Sequence, residues 1–288
     1  LGVVQIHFDG DIATNHQVSM RTLAKTLTHL QNSIDRAYLE DRNGKLWKYA
    51  KMRQAYHYDV ELLVQEPKEG GYVLDFLTSN PLTLNIIDRV SSAINSAVND
   101  AKQDGLQKAL KLEESVSDRI VQVEQGILTP RDFNDIIENP DVSVIRRYGD
   151  RAISREIDQI LTLIRAGSAG DSTFELALTG SKNTQIFEFN KKTATAFHNT
   201  VTKKALGEPV IYKAQLSQMD KFNKSAKIVN KDSDSVANLF FINKEMLNSV
   251  IPFFETDSEF LFYGSPFIEY GAFDPIAGDI YFLGLCDG

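Results

Sequence analysis

Five short alternating strands in the last third of the chain constrain its fold more than any other feature of the 288 residues. They are EPVIYKAQL at 208–216, AKIVN at 226–230, VANLFFI at 236–242, EFLFYGSPFIEY at 259–270 and DIYFLGL at 279–285. A helix-forming stretch, NKEMLNSVI, separates the third from the fourth. The order strand-strand-strand-helix-strand-strand is that of an OB barrel, and an SH3-like barrel leaves much the same trace.

Upstream, VVQIHF alternates, with Val4, Ile6 and Phe8 on one face and Val3, Gln5 and His7 on the other. A turn at Asp9-Gly10-Asp11 follows. Thr14 and Gln17 then have capping-box spacing, which predicts a helix from near Asn15. Its apolar stripe is Met20, Leu23, Leu27, Leu30, Ile34 and Ala37, and Asn43-Gly44 gives the stop. Strands are predicted at 57–66 (HYDVELLVQE) and 72–79 (YVLDFLTS), joined through Gly70-Gly71. A second helix starts at Asn80-Pro81 and runs through Ile86, Val90 and Ile94 toward Asp104-Gly105, and helical patterns recur over 106–127, 130–137 and 150–165. The small, polar run 166–171 reads as a linker. Beyond it come a hairpin at 173–180 and 184–190 and a short helix. The expected architecture is α+β in two domains. Residues 1–168 form an N-terminal sheet covered by long helices, and residues 172–288 a β-rich domain holding an OB-like or SH3-like small barrel.

The stretches VQIHFDGDIATNHQV and DVELLVQEPKEGGYVLDFL, with the leucine-bearing helix between them, resemble an uncharacterised family of bacterial and mobile-element proteins over roughly the first 80 residues. Gly10, Asn15, His16, Leu23, Leu30 and Gly70 fall at that family's pattern positions. The resemblance implies a bacterial or phage setting and names no activity.

An apolar share of 42% is enough for real cores, and charged residues of both signs at 24% argue against disorder. The single cysteine, Cys286, has no internal disulfide partner, which favours a cytoplasmic setting. No apolar run approaches the ~20 residues of a membrane span. A strand at the start leaves no room for a signal peptide within the sequence, although a leader removed before Leu1 would leave the same chain.

The net charge of -8 is unevenly distributed: residues 182–244 hold 11 lysines against 5 acids, and after Lys244 there are eight acids and no base. Arginine is absent past residue 165.

His7, Asp9 and Asp11 share a spacing with His57, Asp59 and Glu61. If both triplets lay on neighbouring strands, each would present an imidazole and two carboxylates on one face, the ligand types of a hydrolytic Zn or Mn site. As ordinary polar strand faces they would carry no metal, with Asp9 and Asp11 serving the turn. His16, expected beside a helix start, suits either an anion contact or a plain surface position. The motifs of nucleotide-binding loops, serine hydrolases and zinc proteases are absent, and Cys286 has no histidine nearby in sequence.

Lys213, Lys221, Lys224 and Lys227 alternate with aromatic rings, a mixture that binds single strands on small barrels. The missing arginines and the acidic tail count against it. The tail's own rings, Phe262, Tyr263, Phe267, Tyr270 and Phe273, together with Asp274, offer a protein-facing surface. The leading expectation is a non-catalytic binding or assembly protein. It would engage a protein partner or its own copies through that aromatic, acidic barrel, with no cofactor and no membrane. The alternatives are a divalent-metal hydrolase or nuclease on the His-acid-acid strands, and a single-stranded nucleic-acid binder.

Overall fold

The computed structural model describes residues 1–68, 71–104 and 112–286. In chain order its elements are β1 (Gly2–Asp9), α1 (Met20–Asn43), β2 (Leu63–Val64), β3 (Tyr72–Thr78), α2 (Pro81–Asp104), α3 (Leu112–Glu124), β4 (Arg131–Asp132), α4 (Phe133–Glu138) and α5 (Tyr148–Arg165). They continue with β5 (Thr173–Thr179), β6 (Thr184–Phe189), α6 (Lys191–Val201), β7 (Lys204–Leu206), β8 (Val210–Asp220), β9 (Ser225–Asn230), β10 (Ser235–Phe240), α7 (Lys244–Ser249), α8 (Ile251–Glu255), β11 (Glu259–Glu269) and β12 (Ile280–Leu285). Short 3-10 helices cover Gly10–His16, Gln54–Val60 and Gly167–Ala169. The class is α+β with a small barrel, as the sequence predicts.

The chain forms two compact units, and neither is contiguous. One comprises 1–46, 50–107 and 149–202, the other 47–49, 108–148 and 203–288. The expected boundary at 168–172 therefore falls inside the first unit. The reason is strand pairing: β5 runs antiparallel to β1, with Phe8 opposite Phe174, Ile6 opposite Leu176 and Val4 opposite Leu178. Nor is 166–171 a loose linker. Ala169 is buried, and the Ile12 amide donates to Ser172 Oγ at 2.9 Å. Gly170, at φ +53°, packs so closely on the Asp11 carboxylate that a side chain there would overlap it.

The first unit's sheet has the order β2-β3-β1-β5-β6 and is antiparallel throughout. β1 alternates as expected, with Val4, Ile6 and Phe8 fully buried. A row of rings continues from Phe8 to Phe174, Phe189 and Phe197 at centroid separations of 4.9, 6.5 and 5.6 Å. α1 starts later than the Thr14/Gln17 spacing predicts. Asn15 and His16 have left-handed φ values of 56° and 58°, which no helix start accepts, and Ser19 caps the helix by accepting from the Thr22 amide. Gly44 ends it at φ 69°. Met20 stands exposed, so the buried stripe begins with Thr22 and Thr26 and continues through Leu30, Ile34 and Ala37. The predicted strand at 57–66 shrinks to the two residues of β2, because 54–60 coil into the 3-10 helix and Val60 alone of that turn is buried. The glycine turn at Gly70 and the helix stop at Gly105 lie outside the described residues, as does the start of the 106–127 helix.

Asp158 on α5 is 1% exposed, and it accepts from Arg165 at 2.6 Å, Arg155 at 2.9 Å and His198 of α6 at 3.0 Å. A carboxylate so buried is tolerable only because several donors face it.

In the second unit β8, β9, β10, β12 and β11 close into a barrel through the β11–β8 pair, and β10 and β12 run parallel while the other barrel pairs are antiparallel. β4 and β7 extend it at β8 and β11. Its core stacks Tyr212, Phe260, Phe262 and Phe282 at 5.3 to 5.7 Å between centroids. α3 contributes Val116 and Ile120 to a smaller cluster with Leu206 and Leu283.

Phe262 is fully buried at the centre of the ring stack. Phe262→Ala is expected to cost about 3–5 kcal/mol of stability, read as a lowered denaturant midpoint. A loss below about 1 kcal/mol would mean that the barrel core is not packed as described.

Candidate functional site

The two His-acid-acid triplets do not form a common face. His7 and Asp9 lie on β1 and Asp11 on the 3-10 turn that follows it, while His57 and Asp59 belong to the 3-10 helix Gln54–Val60 and Glu61 to the extended segment after it. The neighbours of β1 are β3 and β5, so the strand pairing that would unite the triplets does not exist. Asp59 instead accepts the Tyr38 hydroxyl at 2.5 Å, and its backbone oxygen receives Asn80 and Thr83, fixing the start of α2. Asp9 accepts from the Gly10 amide. Among the described residues no three His, Cys, Asp or Glu side chains converge as metal ligands do. His16 is not beside a helix start, and its ring Nδ1 lies 3.0 Å from the Gly71 oxygen.

On β1 the polar pairing that does form belongs to Gln5, which faces Asp75 of β3. Asp75 on β3 is buried, accepts from Gln5 at 2.7 Å and pairs with Lys68. Burial pushes the Asp75 carboxyl up, but the bonds from Lys68 and Gln5 outweigh it and hold the group below its ordinary 3.8.

The tail rings proposed as a protein-facing surface are largely spent inside the second unit. Phe262 is wholly enclosed. Tyr270 is buried beneath the Arg146 guanidinium at 4.2 Å. Tyr263 packs on the Leu206/Leu283 cluster, Phe273 on the barrel core, and Phe267 lies between Tyr281 and Lys204. Asp274 is buried and organises the β11–β12 loop, accepting from the amides of Lys48, Ile276 and Ala277. Burial pushes its pKa up even against those bonds.

Two further tail acids, Glu259 and Asp279, are likewise occupied. Glu259 pairs with Lys213 at 2.9 Å and with Lys231 at 3.7 Å, and Lys213 holds its carboxyl below the ordinary range. Asp279 takes Lys48 at 2.6 Å and Asn238 at 3.0 Å. Of the candidate nucleic-acid lysines, Lys213 is thus held in an ion pair, and Lys224 donates to the Ile242 oxygen at 2.9 Å. Lys221 and Lys227 remain exposed.

Those two lysines line a groove of about 980 Å³ bounded by the β8–β9 hairpin, β10 and α8. At the hairpin tip Phe222 is 98% exposed, and across the groove Phe254 of α8 is 42% exposed. The tip is held firmly. Asp220 accepts from the amides of Asn223 and Phe222 at 3.0 and 2.9 Å and from Asn223 Nδ2 at 2.7 Å, which lowers its pKa and keeps it ionised within the turn. Lys224 closes the turn at φ 48°. Ser217, Gln218 and Asn238 add hydrogen-bonding groups to the groove, and Glu255 adds a negative charge. Among these, Phe222 is legible in the sequence as a ring inside the turn Asp220-Lys-Phe-Asn-Lys224, where apolar residues have no folding reason to be. Phe254 is not, because it lies past the helix-forming stretch NKEMLNSVI, where the sequence offers no element to place it on.

The Asp75 pair has a pH consequence. A carboxyl whose folded pKa lies below its unfolded value stabilises above the unfolded value and loses that stabilisation as pH falls through the folded one. Thermal melts from pH 7 to pH 3 should show a drop beginning near pH 4, and Asp75→Asn should make that drop shallower while lowering the midpoint at pH 7. An unchanged acid limb would contradict the assignment.

No protein-family model, no curated protein and no solved structure matches the chain.

Proposed function

We propose that the chain is a non-catalytic binding protein whose small barrel takes a single-stranded nucleic-acid segment in the groove beneath Phe222. The observation that carries this reading is the Phe222 ring itself, nearly fully in solvent on a hydrogen-bonded hairpin tip next to Lys221, in a groove that Lys227 also lines. Exposing a phenylalanine forgoes roughly 1.5–3 kcal/mol of burial, so a fixed, solvent-facing ring argues for a flat partner. Bases stack on such rings while lysines follow the phosphates.

The strand order supports an OB-like reading of the barrel. Three antiparallel strands, a helical connection and a return in which the last strand lies parallel to the third is the OB trace. In that fold ligands lie over the second and third strands, next to the first hairpin loop. Here those are β9, β10 and the turn at 221–224.

The acidic tail, which argues against nucleic acid on charge counting alone, is less of an obstacle than its count suggests. Glu259 and Asp279 are neutralised by lysines, and Asp274 is buried. Protein engagement through the tail rings has less support, because Phe262, Tyr270 and Asp274 already serve the fold.

The test is fluorescence anisotropy of labelled single-stranded oligo-dT and oligo-U against the whole chain at low and high salt. Binding should weaken as salt rises. Phe222→Ala and Phe254→Ala should each cost about 1–3 kcal/mol of affinity, and Lys221→Ala with Lys227→Ala should flatten the salt dependence. No binding at low salt, or binding indifferent to Phe222, would overturn the reading.

A further inference from the structure

The first unit carries a second open surface, unrelated to the barrel. β6 ends its sheet, with β5 on one side and, among the described residues, no strand on the other. No other described backbone group bonds to its main chain. Proteins usually blunt such edges with lysine, proline or a bulge. The strand TQIFEF has neither lysine nor proline, its pairing with β5 is unbroken from Thr184 to Phe189, and Ile186 is left 58% exposed.

Directly against this edge lies a groove of about 720 Å³. Its apolar lining comes from Phe187 and Phe189 of β6, Ala196 and Phe197 of α6, and Val98 and Ala101 of α2. Lys102 and Lys192 also line it and are exposed, against the one carboxylate of Glu188.

We propose that this edge docks an extended acidic peptide segment of a partner protein, added to the sheet as a sixth strand. The unpaired main-chain groups of β6 would bond the peptide backbone, every second side chain would enter the apolar groove, and carboxylates would meet Lys102 and Lys192. Charge selects this occupant over a second copy. A two-fold pairing of β6 with itself brings the same patch against itself, lysines included, whereas an acidic strand neutralises them.

The site lies in the first unit and takes a different probe, so its failure and that of the barrel reading are separately visible. The probe is a fluorescein-labelled peptide alternating aspartate and valine, compared with its lysine-valine counterpart and with a version N-methylated at alternate amides. With the full chain, the acidic peptide should bind saturably and slow hydrogen exchange of the amides at 184–189. Lys102→Glu with Lys192→Glu should weaken binding at least tenfold. Ala196→Trp and Ala101→Trp, which fill the groove from opposite walls, should each do the same, and either serves if the other folds poorly. The proposal is overturned if the acidic peptide does not bind, or if the lysine or N-methylated peptide binds equally well. It is also overturned if sedimentation shows a dimer that the groove-filling variants dissociate, since that assigns the edge to a second copy.

Discussion

The antiparallel pairing of β1 with β5 is the constraint on which the first unit depends. It joins the chain's first strand to one that begins more than 160 residues later, and the row of buried rings from Phe8 to Phe197 follows from it. Closing so long a loop costs entropy that grows only slowly with length, and a continuous apolar face of Val4, Ile6, Phe8, Phe174, Leu176 and Leu178 is what offsets it. Register is fixed by the same alternation, because a slip of one residue would turn that face to solvent. The close approach of Gly170 to Asp11 and the bond from Ile12 to Ser172 then lock the ends of the pair.

The barrel obeys a different logic. Its strands are close neighbours in sequence, and closure needs only the β8–β11 pair and the parallel β10–β12 pair. Closing a sheet removes its edges, so what the barrel leaves open is loops and outer faces. By contrast the first unit's open sheet leaves β6 unpaired. Each unit thus exposes the kind of surface its topology produces, a ringed hairpin tip on the barrel and a strand edge on the sheet.

Much of this was legible in the sequence. The five barrel strands stand within a few residues of where alternation places them, and so do the 173–180 and 184–190 hairpin and the ends of α1 and α2 at Gly44 and Pro81. Alternation and glycine or proline punctuation are local signals, and these elements are locally specified. What failed was long-range. Nothing local says that Phe174 faces Phe8, so a small-residue stretch at 166–171 read as a linker. The strand expected at 57–66 failed for a related reason. Its polar residues His57, Asp59 and Glu61 alternate, but Tyr38, Asn80 and Thr83 from other elements draw Asp59 into hydrogen bonds that a half-buried strand face would not make. Which tail rings were core and which surface also depended on closure, since a ring's exposure is set by the strand it lands beside.

Charge is where a residue count and a structure diverge most. The tail's acids and the lysines ahead of it read as two opposing blocks, yet some of those charges are paired within the second unit, with each other or with Lys48. Lys213 and Lys231 meet Glu259, Lys48 meets Asp279, and Asp274 is satisfied by backbone amides. Such exposed pairs add little stability individually, but they decide which charges remain to act on a ligand. Lys221 and Lys227 remain beside an exposed ring, and Lys102 and Lys192 beside an open strand. An overall charge of -8 is therefore compatible with a local surface of the opposite sign such as that of Lys102 and Lys192 against Glu188, whereas in the barrel groove Asp220 and Glu255 balance Lys221 and Lys227, and near each surface the closest charges outweigh the screened sum of the rest.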